Sequence, residues 1–368
     1  MKKHVFIAVA ILVSVLSVSA QKARIQWTPK DKSGMGWYAQ SISIGDNYSY
    51  RVADKKEPKL QKLDKEFKVI EEKPLPKIEY NGRDLGTDKE TELTEVVNIG
   101  SKIYMLFSIS NKELGTKENL ACELKKDLSV GNAIILGKYN STDKRNNSGI
   151  ARSEGDSAFI YYQCTFVGED ERPKLKIISY TEDMRIRWEA TQHLRYYDGA
   201  ATITRAQVSN NGLFFLASVK YYRNPTKHFA FTQYKMIELP EPKKEEVEFE
   251  PMFVKLSANG QSIVTSAPYY NNAKDAENNP LFKITGVYVA TFDLTQEKIT
   301  AEKYQQLNSS VFNKFNQEGD YNVKNLWRVY YRVNDIAIAP NGNVGVMLDR
   351  VYYMYYTAMG TYTLTPDY

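Results

Sequence analysis

A repeated pair of hairpins, with a period near 55 residues, constrains the fold of this chain more than any other feature. Six segments share an apolar alternating run, a tight turn with glycine and a second alternating run. Their turn glycines are Gly45, Gly100, Gly155, Gly212, Gly260 and Gly342. Three of these turns contain Asn-Gly, which tolerates the positive φ of tight hairpin turns. Each segment is therefore predicted to be a β-hairpin.

A second hairpin follows the first in the early repeats. The matched segments are residues 62–70, 123–131 and 179–187, with a looser copy at residues 291–299. Leu63 matches Leu124 and Tyr180 in these segments, and the two later apolar positions of each segment match as well. Each repeat is therefore predicted to supply two hairpins and hence four strands, labelled a to d in chain order.

Four-stranded antiparallel units at this period are typical of β-propeller blades, whose sheets pack face to face. We predict an all-β protein, a β-propeller of about six four-stranded antiparallel blades. The predicted blades begin near residues 38, 93, 149, 201, 252 and 332. The alternative is a β-sandwich or two-sheet array, which regular strand spacing also fits. The repeat pattern resembles that of uncharacterised exported propellers of Gram-negative bacteria, and this resemblance implies no active-site residues.

The last repeat is one strand short. Residues 335–340 and 343–355 are predicted to be strands a and b, residues 361–368 strand c, and no strand d follows. Residues 23–29, "ARIQWTP", form a spare strand ahead of the first repeat. We predict that this strand pairs with the C-terminal strands and closes the ring. The alternative is an incomplete ring with an exposed sheet edge.

The first twenty residues predict a signal peptide. A short basic start precedes a 14-residue apolar run, too short for a membrane span, and the small residues after it suit a signal peptidase. The mature chain would begin at Gln21, with no further membrane span, and would lie in the periplasm or at the cell surface of a bacterium. An uncleaved anchor is the alternative.

Charge argues against nucleic acid as a partner. Without Lys2 and Lys3, the 49 basic residues become 47 against 44 acidic residues, which leaves a net charge of +3. This balance is too weak and too mixed to indicate a nucleic-acid surface. Cys122 and Cys164 are the only cysteines, and either a disulfide or two buried thiols fits an exported protein.

The variable segments of the repeats are predicted to lie on one face of the ring. In a blade, the b–c loops and the d–a crossovers share a face, opposite the tight a–b turns. The candidate b–c loops are residues 108–119, 222–228 and 269–282, and the candidate crossovers are residues 71–92, 138–149, 240–251 and 300–330. Residues 300–318 carry apolar residues at helical spacing and are predicted to form a helical insertion. We call this face the loop face, and binding is expected there.

Tyrosine pairs concentrate on the loop face. Three Tyr-Tyr pairs end strand b at matched distances from their turn glycines. Because successive strand side chains point to opposite sides, one ring of each pair is expected to pack and the other to be available. The candidate ligand-binding residues are Tyr221, Tyr222, Arg223, Tyr269, Tyr270, Asn271, Tyr330, Arg332, Tyr352 and Tyr353. They would form a rim that stacks on sugar rings or grips an extended peptide. The alternative is that these tyrosines fill space between blades.

Catalytic and metal motifs are sparse. His193 and His228 are the only histidines after residue 20, and a lone histidine is more often structural. Residues 168–172 and 271–279 are acidic segments without a recognised calcium-ligand spacing. Phosphate loops, nucleophile elbows and zinc spacings are missing from the sequence. We therefore predict no catalytic residue, metal site or cofactor, although two carboxylates from distant blades stay an open possibility.

These observations lead to one main functional hypothesis and two alternatives. The main hypothesis is an exported ligand- or protein-binding or scaffold propeller that uses the loop face, with a glycan, protein or peptide as partner. One alternative is a glycan-processing hydrolase or lyase, which requires at least two carboxylates, or His193 with a carboxylate, in the central funnel. The other is a structural component of an envelope assembly.

Overall fold

The computed structural model describes residues 40–43, 49–53, 59–66, 68–166, 172–195, 200–222, 224–271, 284–307, 326–339, 342–358 and 361–367. All regular secondary structure in these residues is β-strand, so they contain no helix long and apolar enough to cross a membrane. The signal peptide predicted for residues 1–20 and the closing strand predicted for residues 23–29 lie outside the described residues.

The first three main sheets each have four antiparallel strands in chain order. The first contains β1 (Gln40–Ser43), β2 (Ser49–Ala53), β3 (Lys59–Leu63) and β4 (Val69–Pro74). A small hairpin follows, β5 (Glu79–Tyr80) and β6 (Arg83–Asp84). The second contains β7 (Thr91–Ile99), β8 (Lys102–Asn111), β9 (Thr116–Leu124) and β10 (Val130–Asn140). The third contains β11 (Asn147–Arg152), β12 (Phe159–Thr165), β13 (Lys174–Tyr180) and β14 (Ile186–His193).

The next three sheets have four, five and three strands. The fourth contains β15 (Ala201–Val208), β16 (Phe215–Tyr221), β17 (Lys227–Phe231) and β18 (Met236–Glu238). The fifth contains β19 (Val247–Phe249), β20 (Phe253–Leu256), β21 (Ser262–Asn271), β22 (Ile284–Asp293) and β23 (Lys298–Gln306). The sixth contains β24 (Leu326–Ile338), β25 (Val344–Ala358) and β26 (Thr361–Asp367). The prediction of consecutive antiparallel sheets, mostly four-stranded, is confirmed.

The turn residues explain the hairpins. Gly100 has φ +60° in the two-residue turn that joins β7 to β8, where Ile99 pairs with Lys102. In the third sheet Asp156, the residue after the turn glycine, takes the left-handed conformation with φ 52°. The four predicted second hairpins are confirmed as β3–β4, β9–β10, β13–β14 and β22–β23.

Two of the second hairpins turn on a buried apolar residue. Leu128 and Met184 have φ of 62° and 56°, a conformation that glycine usually occupies, yet both side chains are buried. The Leu128 N–H donates to the Lys125 carbonyl oxygen, which closes the turn at 2.9 Å. The apolar residue that recurs in the sequence repeat therefore anchors the c–d turn to the core.

Consecutive sheets pack against each other in chain order. In β8, Ile103, Met105 and Phe107 belong to an apolar cluster shared with the first sheet. The alternate residues Tyr104 and Leu106 belong to a cluster shared with the third sheet. Further clusters join the third sheet to the fourth, the fourth to the fifth and the fifth to the sixth. A sheet that is buried on both faces by its neighbours in the chain is the arrangement of a propeller blade.

The structure corrects two predictions about local structure. The helix predicted for residues 300–318 is wrong at its start, because β23 runs to Gln306 and Tyr304 pairs with Tyr288. Strand β23 is mostly exposed, so its sequence lacks the apolar alternation that would have identified a strand. The crossover predicted for residues 240–251 contains β19, which pairs with the end of β21.

The last sheet begins earlier than predicted, at Leu326, and β25 extends to Ala358. Its predicted strand c is confirmed as β26, which pairs with β25. Cys122 and Cys164 are free and buried, so the thiol alternative is correct and the disulfide is not formed. The two thiols lie in different apolar clusters, and burial raises the pKa of each to about 12.

Candidate functional site

A cleft of about 400 Å³ lies between the second and third sheets. Strands β8 and β10 end beside it and β9 and β11 begin beside it, so it belongs to the loop face. The polar side chains that line it include Glu95, Ser108, Asn119, Tyr139, Ser148 and Tyr161. Leu106, Leu136 and Ile150, which pack in the apolar cluster between these two sheets, supply the apolar walls. A concave space of this size with a few convergent polar groups is typical of small-ligand sites.

A hydrogen-bond chain crosses the cleft from one sheet to the next. Asn119 on β9 donates from Nδ2 to Ser148 Oγ at 3.1 Å and to the Tyr161 hydroxyl at 3.0 Å. Ser148 Oγ on β11 donates to the Tyr139 hydroxyl at 3.4 Å. Burial raises the pKa of Tyr161 to about 12, so its hydroxyl is protonated at neutral pH. The chain holds these polar groups in fixed positions and joins the two sheets.

Ser108 is the exception in this polar lining. Its side chain is only 2% exposed, and its hydroxyl has no hydrogen-bond partner among the described residues. A buried hydroxyl without a partner costs about 1–3 kcal/mol of stability. An unsatisfied donor in the wall of a cleft is the kind of group that a bound ligand or water satisfies.

Glu95 forms part of both the cleft lining and an ion-pair network on the first strands of the second and third sheets. Its partly buried carboxylate lies 3.6 Å from the Arg152 guanidinium. Desolvation raises the pKa of Glu95, and the charge of Arg152 opposes this shift. Arg152 also donates to Asn98 Oδ1 at 3.3 Å and lies 3.8 Å from the Asp156 carboxylate. Glu95 is therefore held as part of an ion-pair network on strands β7 and β11.

A second ion-pair network joins the third, fifth and sixth sheets. Lys255 on β20 lies 3.0 Å from the Glu154 carboxylate, which follows β11, and 3.4 Å from the Asp335 carboxylate on β24. Nearby, on the first strand of the fourth sheet (β15), the Arg205 guanidinium lies 3.8 Å from the centroid of the Phe253 ring. The carboxylates of both networks are thus paired with a cation, which does not favour a pair of catalytic carboxylates at this position.

The predicted tyrosine rim does not come together as one described surface. Tyr222 is 78% exposed, whereas Tyr221, Tyr269 and Tyr270 are buried. Arg332 is exposed and its guanidinium lies 3.8 Å from the Asp349 carboxylate. Arg223 lies outside the described residues, and Asn271, Tyr330, Tyr352 and Tyr353 are described only as strand backbone.

The fifth sheet shows why both members of one tyrosine pair are buried. The Tyr269 ring packs against Phe249 on β19 and Tyr304 on β23, with ring centroids 6.1 Å and 5.9 Å away. On the other side of β21, the Tyr270 hydroxyl accepts a hydrogen bond from the Tyr331 backbone N–H at 3.3 Å. The alternation expected for a half-buried strand therefore holds for Tyr221 and Tyr222 but not for this pair.

The two histidines lie in different surroundings. His228 is buried, Ser218 Oγ lies 2.8 Å from its Nδ1, and burial lowers its pKa to about 4. It is a neutral, hydrogen-bonded core residue. His193 is exposed at the end of β14. The described residues contain no group of three or more side chains that could hold a metal ion. Most of the acidic segments 168–172 and 271–279 lies outside them.

The predicted loop segments include residues of the cleft, but the sequence did not single these residues out. Ser108 and Asn119 bound the predicted loop 108–119, and Tyr139 and Ser148 lie in the predicted crossover 138–149. Tyr161 belongs to one of the Tyr-Tyr pairs. One sequence signal could have identified the cleft. Amide and hydroxyl residues are frequent in residues 108–119 and 138–149, two segments that the repeat pattern places side by side.

No protein-family model and no curated protein matches this chain. Among solved structures, it is similar to puromycin hydrolase (S511A mutant complexed with PGG), with 11% identity and a TM-score of 0.40 over 87% of this chain and 50% of that one. TolB from Acinetobacter baumannii is 13% identical, with a TM-score of 0.31, over 71% of this chain and 52% of that one. The chain spans about half the length of these two proteins.

The β-propeller domain of the Trilobed protease from Pyrococcus furiosus is 12% identical to this chain, with a TM-score of 0.37, and the match covers 90% of this chain and 84% of that domain. At such TM-scores these likenesses carry no argument about activity.

Proposed function

We propose that this protein is an exported ligand-binding β-propeller whose ligand occupies the cleft between the second and third sheets. One observation carries the proposal. A cleft of about 400 Å³ on the loop face is lined by hydrogen-bonded polar side chains, and one buried hydroxyl, that of Ser108, has no partner among the described residues. Such a cavity is prepared for a small molecule or for one unit of a larger one.

The proposal includes the finer organisation of the chain. Residues 1–20 direct export to the periplasm or cell surface of a bacterium, and residues 21–368 form a propeller of six blades. Residues 23–29 add the missing strand to the sixth sheet and close the ring. The face-to-face packing of successive sheets supports this arrangement, and the apolar run at the N-terminus supports export.

Binding is favoured over catalysis by the charges near the cleft. Glu95 is the one carboxylate of the cleft lining, and Arg152 pairs with it. Glycoside hydrolysis by two carboxylates needs a second one about 5–10 Å away on the opposite side of the substrate. The cleft lining contains no such partner for Glu95.

The tyrosine rim remains a second candidate site, and one observation favours it. Tyr222 is 78% exposed and directly follows β16, on the same face as the cleft. An exposed aromatic ring can stack on a sugar ring or a peptide side chain. A thermal-shift screen with variants in each region can distinguish binding at the rim from binding in the cleft.

The experiment is a thermal-shift screen of the chain from Gln21 onward with neutral and acidic oligosaccharides, short peptides, and Ca²⁺ against EDTA. A ligand at a hundred times its dissociation constant stabilises the fold by about 2.7 kcal/mol. Ser148→Phe places a large ring in the cleft, and Tyr222→Ala removes the exposed ring of the rim.

We expect a ligand whose shift is lost in Ser148→Phe and kept in Tyr222→Ala. The opposite pattern would assign binding to the rim. If Ser148→Phe melts like the wild type and no compound shifts either protein, the ligand-binding proposal is overturned and the structural envelope role takes its place. Should Ser148→Phe fail to fold, Asn119→Leu, which is closer in size to the native residue, replaces it.

A further inference from the structure

We infer that the cleft binds a neutral, hydroxyl-rich ligand, of which a sugar unit of a glycan is the fitting class, and that the Ser108 hydroxyl is one of its hydrogen-bonding groups. This inference rests on the proposed ligand-binding function and names the chemistry of the ligand. It depends on the charges, the unused hydrogen-bonding capacity and the apolar walls of the cleft.

The charged side chains of the cleft lining balance, with Glu95 as its one carboxylate and Lys117 as its one cation. Glu95 is paired with Arg152, which also lies close to Asp156, so neither of these two charges is free for a ligand. Lys117 has no ion pair among the described residues, and the acidic sugars in the experiment measure whether it binds an anion. The polar groups that meet between the two sheets are neutral, namely the side chains of Ser108, Asn119, Tyr139, Ser148 and Tyr161.

The hydrogen-bond chain leaves defined positions for a ligand. Asn119 uses both of its N–H groups, on Ser148 and Tyr161, and its carbonyl oxygen accepts no hydrogen bond from the described residues. Ser108 Oγ can donate one hydrogen bond and accept others. The cleft therefore offers an acceptor and a combined donor and acceptor. A hydroxyl group both donates and accepts, so a ring with several hydroxyls can satisfy both positions.

The apolar walls complete the match with a sugar. Leu106 and Leu136 are buried and line the same cleft as the polar groups. A sugar ring presents C–H surfaces between its hydroxyls, and such surfaces pack on apolar and aromatic side chains. Since polar and apolar side chains line one concave space, the cleft can contact both kinds of surface of the same ring.

Ser108→Ala tests the inference, and Ser266→Ala is its matched control. Both serines are buried on the second strand of their hairpin, but Ser266 Oγ donates to the Tyr288 carbonyl oxygen at 2.9 Å in the fifth sheet. Titration calorimetry would measure the binding of neutral hexose oligosaccharides, their uronic-acid counterparts and capped tripeptides. The same three proteins would be melted without ligand.

We expect a neutral oligosaccharide to bind, with affinity about tenfold weaker in Ser108→Ala and unchanged in Ser266→Ala. Without ligand, the melting temperature of Ser108→Ala should equal or exceed that of the wild type, because an unsatisfied hydroxyl is removed. Ser266→Ala should melt at a lower temperature, since it loses a hydrogen bond. A merely structural role for Ser108 would instead lower the melting temperature and leave affinity unchanged.

The inference is overturned if uronic acids or capped peptides bind in the cleft and neutral oligosaccharides do not, or if Ser108→Ala binds them as tightly as the wild type. In those outcomes binding is still lost in Ser148→Phe, so the proposed function stands while the ligand class is wrong. If no compound binds in a way that Ser148→Phe abolishes, the proposed function itself fails.

Discussion

Three buried serines on equivalent strands show how the surroundings of a residue decide its role. Ser218 Oγ lies 2.8 Å from His228 Nδ1, and Ser266 Oγ donates to a backbone carbonyl in its own sheet. Ser108 Oγ lies in the wall of the cleft without a partner among the described residues. Two of the three therefore have an evident structural role, and the third points to a ligand.

His228 provides a pH-dependent test at the residue scale. Burial lowers its pKa to about 4, against 6.5 in the unfolded chain; Glu241 and a backbone hydrogen bond to Met252 oppose this shift, and the charges of Lys227 and Arg205 add to it. Below pH 6.5 the unfolded state binds a proton that the folded state does not. The stability that His228 contributes therefore falls as the pH falls from 6.5 to 4, by about 3 kcal/mol, and changes no further below pH 4.

Chemical denaturation of the wild type and His228→Asn between pH 7.5 and 4 would measure this effect. An asparagine amide occupies the position of Nδ1 beside Ser218 and does not titrate. We expect the variant to lose much less stability than the wild type over this range. Equal losses in the two proteins would show that His228 is not the group responsible.

At the scale of the strand, glycine and tyrosine occur opposite each other in paired strands. Tyr162 pairs with Gly149 on β11, and Tyr269 pairs with Gly286 on β22. In each case a Cβ on the glycine would collide with the tyrosine hydroxyl. The ring lies across the neighbouring strand in space that only glycine leaves open, and this arrangement accounts for part of the tyrosine content of the chain.

Gly286→Ala should therefore destabilise the protein by about 1–3 kcal/mol, the usual cost of overpacking. Its Cβ would meet the Tyr269 hydroxyl and also the Gln305 backbone carbonyl oxygen, which cannot rotate away. Urea denaturation measures the change. Gly345→Ala is the control, because its Cβ would lie 3.8 Å from the nearest heavy atom, on Ala337, and we expect less than about 0.5 kcal/mol there. Similar losses at both sites would contradict the steric explanation.

For the whole molecule, the sixth sheet raises the question of closure. It contains three strands in the described residues, with β26 at its edge. An unpaired strand edge invites association with another chain. A single added strand would complete four strands, and residues 23–29 have the sequence for it.

Deletion of residues 23–29 should lower the melting temperature by several degrees and cause concentration-dependent self-association through β26. Calorimetry and light scattering after gel filtration would detect the two effects. A synthetic peptide of residues 22–30 added to the shortened chain should reverse both. If the shortened chain melts like the full chain and stays monodisperse, residues 23–29 are not the closing strand.

Local chemistry made much of this fold predictable. Turn glycines such as Gly100 and recurring turn residues such as Leu128 mark each hairpin, because turn geometry depends on a few neighbouring residues. The helix predicted at residue 300 failed for the opposite reason. Strand β23 lies at a sheet edge with mostly exposed side chains, so its apolar residues carried no strand periodicity.

By itself, the sequence determined the hairpins and their grouping into four-stranded units, since these depend on short-range pattern. Only the tertiary structure decided which polar residues meet. Ser108, Asn119 and Ser148 come from three strands of two sheets, and burial of Tyr269 and Tyr270 depends on neighbours that the pair's own sequence does not reveal. Contacts between sheets arise from packing over long separations in the chain, and alternation along one strand does not encode them.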